Sequence, residues 1–216
     1  MPTCPVCNRK YQRKSCEYCE RDARWDPNSI KSMFSLRIQK DLESIDLDTQ
    51  AAEDFEYIIE SKMGKGLYIE GDVGSGKTLY AAALMKYSLY HTYIHNDFRQ
   101  HAFVSVPKLF FQLKETMDPT VKITESDILK PYMKVDWLVL DDIGIEKVSE
   151  WSLQSLYILI DERYNNLKTT IFTSNLTLDD LADKWNDDRI PSRIFSMCLM
   201  DRVKKLDKKD WRMNAD

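Results

Sequence analysis

Gly66-Leu67-Tyr68-Ile69-Glu70-Gly71-Asp72-Val73-Gly74-Ser75-Gly76-Lys77-Thr78-Leu79-Tyr80-Ala81-Ala82-Ala83-Leu84-Met85 runs from an apolar stretch through a glycine-rich turn into a helix-forming stretch. Within it, Gly71 to Thr78 has the spacing G-x-x-x-x-G-K-T, a phosphate-binding P-loop. The apolar stretch reads as a short buried strand and the alanine-rich stretch as a helix, the context this motif requires. Glycines let the backbone turn tightly, so that the N–H groups of Gly71, Asp72, Val73, Gly74, Ser75 and Gly76 can face an anion. The helix N-terminus adds positive dipole character. Lys77 is expected to reach the β- and γ-phosphates of ATP, and Thr78 to place its hydroxyl on Mg²⁺.

A second motif agrees with the first. Val135-Asp136-Trp137-Leu138-Val139-Leu140-Asp141-Asp142 is an apolar run that ends in two acids. It reads as a strand inside a parallel sheet, apolar because both its faces are covered. Asp141 is the expected Mg²⁺ partner, directly or through water, and Asp142 the group that polarises an attacking water. Together the two motifs point to an ATPase.

The chain has 216 residues, of which 43% are hydrophobic and 31% charged. That suits one medium domain with a small appendage and an ordinary globular composition. No apolar run approaches the ~20 residues of a membrane helix. The N-terminus, Met1-Pro2-Thr3-Cys4, has no apolar signal core, so a cytoplasmic protein is expected. A net charge of −4 does not advertise nucleic-acid binding. Basic residues nevertheless gather at Arg9, Lys10, Arg13, Lys14, Arg21 and Arg24, and again between Arg202 and Arg212. Either group serves as a solvated surface or as a nucleic-acid contact.

Cys4, Cys7, Cys16 and Cys19 form two CxxC pairs at one end of the chain. In a cytoplasmic protein this reads as a metal site rather than a disulfide framework. Four thiolates match a closed, structural Zn²⁺ site. So short a segment cannot build its own core, and the metal would supply its folding energy. Cys198 stands alone in an apolar stretch and reads as a core residue.

Residues 1–24 are therefore expected to be a zinc module and residues 25–47 a linker helix that begins after Pro27. Residues 48–216 form the ATPase domain. Asp48 to Met63 carries Ala51, Ala52, Phe55, Ile58 and Ile59 at helical spacing. Strands are expected at Ala102–Val106, Thr169–Thr173 and within Leu199–Leu206. Helices are expected after Pro107, at Ser126–Tyr132, at Glu150–Asn165, after a Thr177 cap with Asp180 three residues on, and at Arg189–Met197. Strands alternating with helices indicate an α/β three-layer sandwich around a parallel sheet.

Thr173-Ser174-Asn175 ends a strand beyond the second motif, and Arg189-Ile190-Pro191-Ser192-Arg193-Ile194 follows it. With Gly71–Thr78, Leu138–Gly144 and Asp210-Trp211-Arg212, the set resembles the DnaC/DnaI-type bacterial helicase loaders. These are AAA+ ATPases, and the transposition ATPase IstB is a close cousin. The resemblance covers roughly residues 50–212. It implies an AAA+ P-loop sandwich without a C-terminal helical lid. Asn175 looks like sensor 1, which positions the lytic water. Arg193, or Arg189 one turn earlier on the same face, looks like the arginine finger supplied to a neighbouring subunit's ATP.

The resemblance also implies partners. The zinc module and linker would bind a replicative helicase of the DnaB type. The ATPase domains would self-associate and place that helicase on single-stranded DNA. Related initiators line a DNA channel with an insertion that falls here at Lys108, Phe110, Phe111, Lys114, Lys122 and Lys130. Lys108, Phe110 and Lys114 are the expected DNA contacts, although only one of the adjacent phenylalanines can face solvent on a regular helix. The compact chain suits a bacterial protein or one encoded by a phage or mobile element. An IstB-like helper of a transposase, and an adaptor that binds ATP without hydrolysing it, are the alternatives.

Overall fold

The computed structural model describes residues 38–39, 50–61, 64–94, 99–145, 148–198 and 204–206. The four cysteines of the expected zinc module, most of the linker and Asp210–Arg212 lie outside them. Chain order is α1 (Gln50–Glu60), β1 (Leu67–Gly71), α2 (Lys77–Ile94), β2 (His101–Ser105), α3 (Val106–Glu115) and α4 (Glu125–Lys134). There follow β3 (Trp137–Ile143), α5 (Glu150–Asn165), β4 (Thr169–Ser174), α6 (Leu178–Trp185), α7 (Arg189–Met197) and β5 (Lys204–Leu206).

The strands pair parallel in the order β2-β3-β4-β1-β5. Successive side chains of a strand point to opposite faces, and the core divides accordingly. Leu67, Ile69, Trp137, Val139 and Ile171 pack with Ala51, Phe55, Ala82 and Met85 of α1 and α2. Tyr68, Leu138, Leu140 and Phe172 pack with Leu109, Leu113, Leu156, Ile160 and Ile194 on the other side. This is the expected three-layer α/β sandwich, and full cover of both faces explains why β1 and β3 are apolar almost throughout. No helix among the described residues is long and apolar enough to cross a membrane.

Local chemistry sets the helix starts. Thr124 and Thr177 each accept from the backbone N–H three residues on, and Asp127 and Asp180 return the bond, so α4 and α6 both begin with a capping box. Ser105 caps α3 ahead of Pro107. At the opposite edge of the sheet from the P-loop, the fully buried Arg163 of α5 donates to the carbonyls of Tyr132, Val135 and Thr169 and to the Thr170 hydroxyl. One side chain thereby ties the end of α4 to the starts of β3 and β4. The end of α7 is tied to the approach to β1. Gly66 N–H donates to Met197 O at 2.9 Å, Lys65 Nζ donates to Ser196 O, and Cys198 bridges Gly66. Cys198 is buried, as its apolar surroundings predict.

Candidate nucleotide site

The strand order determines what meets at the carboxyl edge of the sheet. β4 lies between β1 and β3, so the loop after β1, the end of β3 and the end of β4 converge there, where ligands of open parallel sheets bind. Gly74 and Gly76 hold φ values of +85° and +95°, a region other residues enter only with strain. Between them Ser75 is buried, and its hydroxyl has no hydrogen-bond partner among the described residues. Lys77 opens α2 and is buried; its Nζ donates to the carbonyls of Gly71 and Asp72, each at 2.8 Å. Its ammonium is thus folded over the loop that the glycines shape.

The next residue reaches the second motif. Thr78 Oγ1 donates to Asp141 Oδ2 at 3.2 Å, and Thr173 Oγ1 of β4 donates to Asp141 Oδ1 at 2.6 Å. Thr173 in turn accepts from the Asp142 N–H at 2.9 Å. Burial pushes the Asp141 carboxyl up to about 6; the Asp142 charge acts in the same direction, while the bonds from Thr173 and Thr78 and the Lys77 charge oppose it. A buried carboxylate beside a threonine hydroxyl, next to a loop with an unsatisfied hydroxyl, is a donor set that fits a divalent cation carrying phosphate oxygens.

Asp142 adopts φ +61° where the β3–β4 register shifts between Leu140 and Ile143. It lines a small cleft with Val106, Pro107, Phe110, Gly144, Val148 and Trp185. Asn175 follows β4 directly and is exposed. Ser174 beneath it is pinned to Ile143 O at 2.8 Å, so the residue expected to act as sensor 1 stands next to the end of β3.

Both candidate arginines lie on α7, and the contacts they make are with Asp187 and with α5. Arg189 chelates Asp187 through Nε and Nη2 at 2.6–3.1 Å. Arg193 donates through Nε to Asp161 of α5. Their guanidinium carbons lie 5.1 and 5.0 Å from the ring centre of Tyr157.

The expected DNA contacts need one correction. Phe110 is 8% exposed and packs in the core between α3 and the sheet, so its ring is not available to stack on a base. Phe111, one residue later and about 100° around the helix, is 65% exposed. Lys108 and Lys114 are exposed on the same helix. Thr173 and Asp161 are the residues that sequence reasoning missed. Each acts across elements whose adjacency no local pattern reveals.

A parallel sheet with a P-loop after β1, an acid pair after β3 and β4 between them defines a P-loop nucleotide-binding protein with an AAA+-like fold. Residues 14–209 match the family model described as IstB-like ATP binding protein, and the chain belongs to that family. It is 29% identical over 125 residues to the replicative helicase loader DnaC of Buchnera aphidicola subsp. Acyrthosiphon pisum (strain APS), covering 58% of this chain and 46% of that protein. It is 27% identical over 163 residues to the replicative helicase loader DnaI of Bacillus subtilis (strain 168), covering 69% and 50%. The chain thus spans about half the length of the curated relatives it matches. Among solved structures it is similar to the crystal structure of the DnaC helicase loader, with a TM-score of 0.58 and 28% identity over 80% of this chain and 98% of that one.

Proposed function

We propose that this protein is an ATP-dependent loader that binds a replicative helicase of the DnaB type and places it on single-stranded DNA. The observation that carries the reading is the convergence of Lys77, Thr78, Asp141 and Thr173 at one sheet edge, in a chain whose relatives are named helicase loaders. Gly71 to Gly76 would hold the ATP phosphates, Lys77 would turn from its loop carbonyls to the β- and γ-oxygens, and Thr78 and Asp141 would hold Mg²⁺. When bound, that cation neutralises charge developing on the transferred phosphoryl group. Asp142 would polarise the attacking water and Asn175 orient it. Arg193 would complete the site of a neighbouring copy, so hydrolysis would be weak until chains assemble.

Residues 48–216 are the ATPase domain in this reading, residues 25–47 a linker, and residues 1–24 a docking module for the helicase folded on Zn²⁺ by Cys4, Cys7, Cys16 and Cys19. Lys108, Phe111 and Lys114 would follow single-stranded DNA through charge and stacking. The setting is the cytoplasm of a bacterium.

The test mixes the intact chain with a DnaB-type hexamer, ATP and Mg²⁺, and follows both complex formation and helicase delivery to circular single-stranded DNA. A stoichiometric complex and ATP-dependent delivery are expected, with Lys77→Ala losing delivery. Absence of any complex would sink the loader reading. Lys77→Ala delivering as well as the unaltered chain would leave an adaptor that needs no hydrolysis. The matched family's name favours a second reading, an IstB-like ATPase helper. Duplex-DNA binding and capture of a transposase in the same assay would move the assignment there.

A further inference from the structure

Resting on the proposed reading of Arg193 as the arginine that α7 lends to a neighbouring copy, we infer that Asp161 and Tyr157 of α5 are its positioning residues. The two guanidinium groups are held in different ways. Arg189 spends Nε and Nη2 on the carboxylate of Asp187, two residues before it. That fork is closed in cis, and it is the same fork that phosphate oxygens would need. Arg193 is held by Nε alone. Its Nη1 and Nη2 make no hydrogen bond among the described residues, and they are the pair that can grip two oxygens of a phosphoryl group.

What holds Arg193 is itself held. Asp161 takes the arginine on Oδ1 and the Asn165 amide on Oδ2, at 3.0 Å, so the carboxylate cannot swing freely. Tyr157 and Tyr164 lie 5.0 and 5.8 Å from the Arg193 guanidinium carbon and offer it ring faces. Tyr157, Asp161 and Tyr164 fall at i, i+4 and i+7, one face of α5, and that helix packs on α7. The side chains of Arg193 and Asp161 are 29% and 28% exposed, so the pair lies at the surface, within reach of a neighbouring copy. A long flexible side chain is thereby aimed before a partner arrives, which saves ordering entropy at the moment of assembly.

The experiment uses the full chain and two readouts: steady-state ATP hydrolysis under assembling conditions, and self-association driven by ADP with aluminium fluoride, measured by sedimentation. Asp161→Ala is expected to lower kcat by about tenfold or more through misaiming, with KM for ATP and melting temperature unchanged. It is expected to weaken fluoride-driven association in parallel. Mixing Asp161→Ala with Lys77→Ala is expected to restore turnover, because the second chain lends a well-aimed arginine to the intact site of the first. Tyr157→Leu, which removes the ring and leaves the carboxylate, is expected to give the same pattern with a smaller loss.

Turnover and association of Asp161→Ala equal to those of the unaltered chain would overturn the inference that Asp161 positions Arg193. A loss that Lys77→Ala does not rescue would also overturn it, since Asp161 would then act within its own subunit. Arg193→Ala with normal hydrolysis and association would instead remove the underlying finger reading. Loss in Arg193→Ala alongside normal behaviour in Asp161→Ala would overturn the inference and leave the finger reading standing.

Discussion

Asp141 carries its carboxylate to a place only 4% exposed, beside a second acid. Its proton is held more tightly in the folded chain, at about 6, than at the ordinary value of 3.8. Stability from this group is therefore greatest below the unfolded value and declines as pH rises through that window, with the full cost present above about 6. Asp141→Asn keeps an acceptor for Thr173 and removes the charge. It is expected to raise the stability of the nucleotide-free chain at neutral pH by on the order of 1–3 kcal/mol and to abolish Mg²⁺-dependent nucleotide binding. Thermal melts with and without Mg²⁺-ATP check both halves. Thr173→Val removes one donor to Asp141 and the acceptor for Asp142 N–H, at a cost of about 1–3 kcal/mol. It is expected to raise the Mg²⁺ concentration needed for fluorescent-nucleotide binding, with Thr173→Ser close to the unaltered chain. A Val variant with an unchanged Mg²⁺ titration would deny Thr173 this part. Asp141 and Thr78 were legible because their motifs are local. Thr173 was read only as the end of a strand, since its partner lies 32 residues away and only the pairing of β3 with β4 brings the two together.

Helix α3 shows where periodicity helps and where it stops. The spacing of Leu109, Phe110 and Leu113 identifies a buried face, and Pro107 marks its start. Which of two adjacent phenylalanines completes that face depends on the roll of the helix against β2 and β3, and a pattern of apolar letters leaves the roll open by one position. Phe111→Ala is expected to weaken single-stranded DNA binding by about 1–3 kcal/mol if its ring carries a stacked base, with the fold intact; a fluorescence titration at fixed salt decides it. Helix α5 offers the opposite lesson. Its boundaries, Glu150–Asn165, follow from sequence, yet Arg163 within it gives no sign of being buried, because its acceptors are backbone carbonyls that no residue type announces. Arg163→Met would leave those carbonyls unpaired and is expected to cost about 3 kcal/mol or more in a denaturant titration, with nucleotide affinity in the surviving folded fraction unchanged.

Among the described residues, the alternation of strands and helices around a parallel sheet was legible in the sequence, and that reading stands. Its lateral order was not legible, because alternation is equally consistent with several arrangements, and the site depends on β4 lying between β1 and β3. The proposed division of labour makes one further forecast. Chelation, or Cys4→Ser, is expected to abolish helicase binding while ATP binding is retained; co-sedimentation and nucleotide titration on the same sample separate the two, and joint loss would mean that the N-terminal segment is integral to the ATPase domain.

The bond from Gly66 to Met197 joins the strand that enters the P-loop to the end of the helix that carries Arg193. On the proposed reading, donor arm and receiving pocket would be joined within one copy by a single backbone bond, with β1 running between them. A shift of β1 on phosphate capture would be handed to α7 without passing through any loop between them. If copies assemble side by side as proposed, the state of one pocket would then bear on the arginine offered to the next.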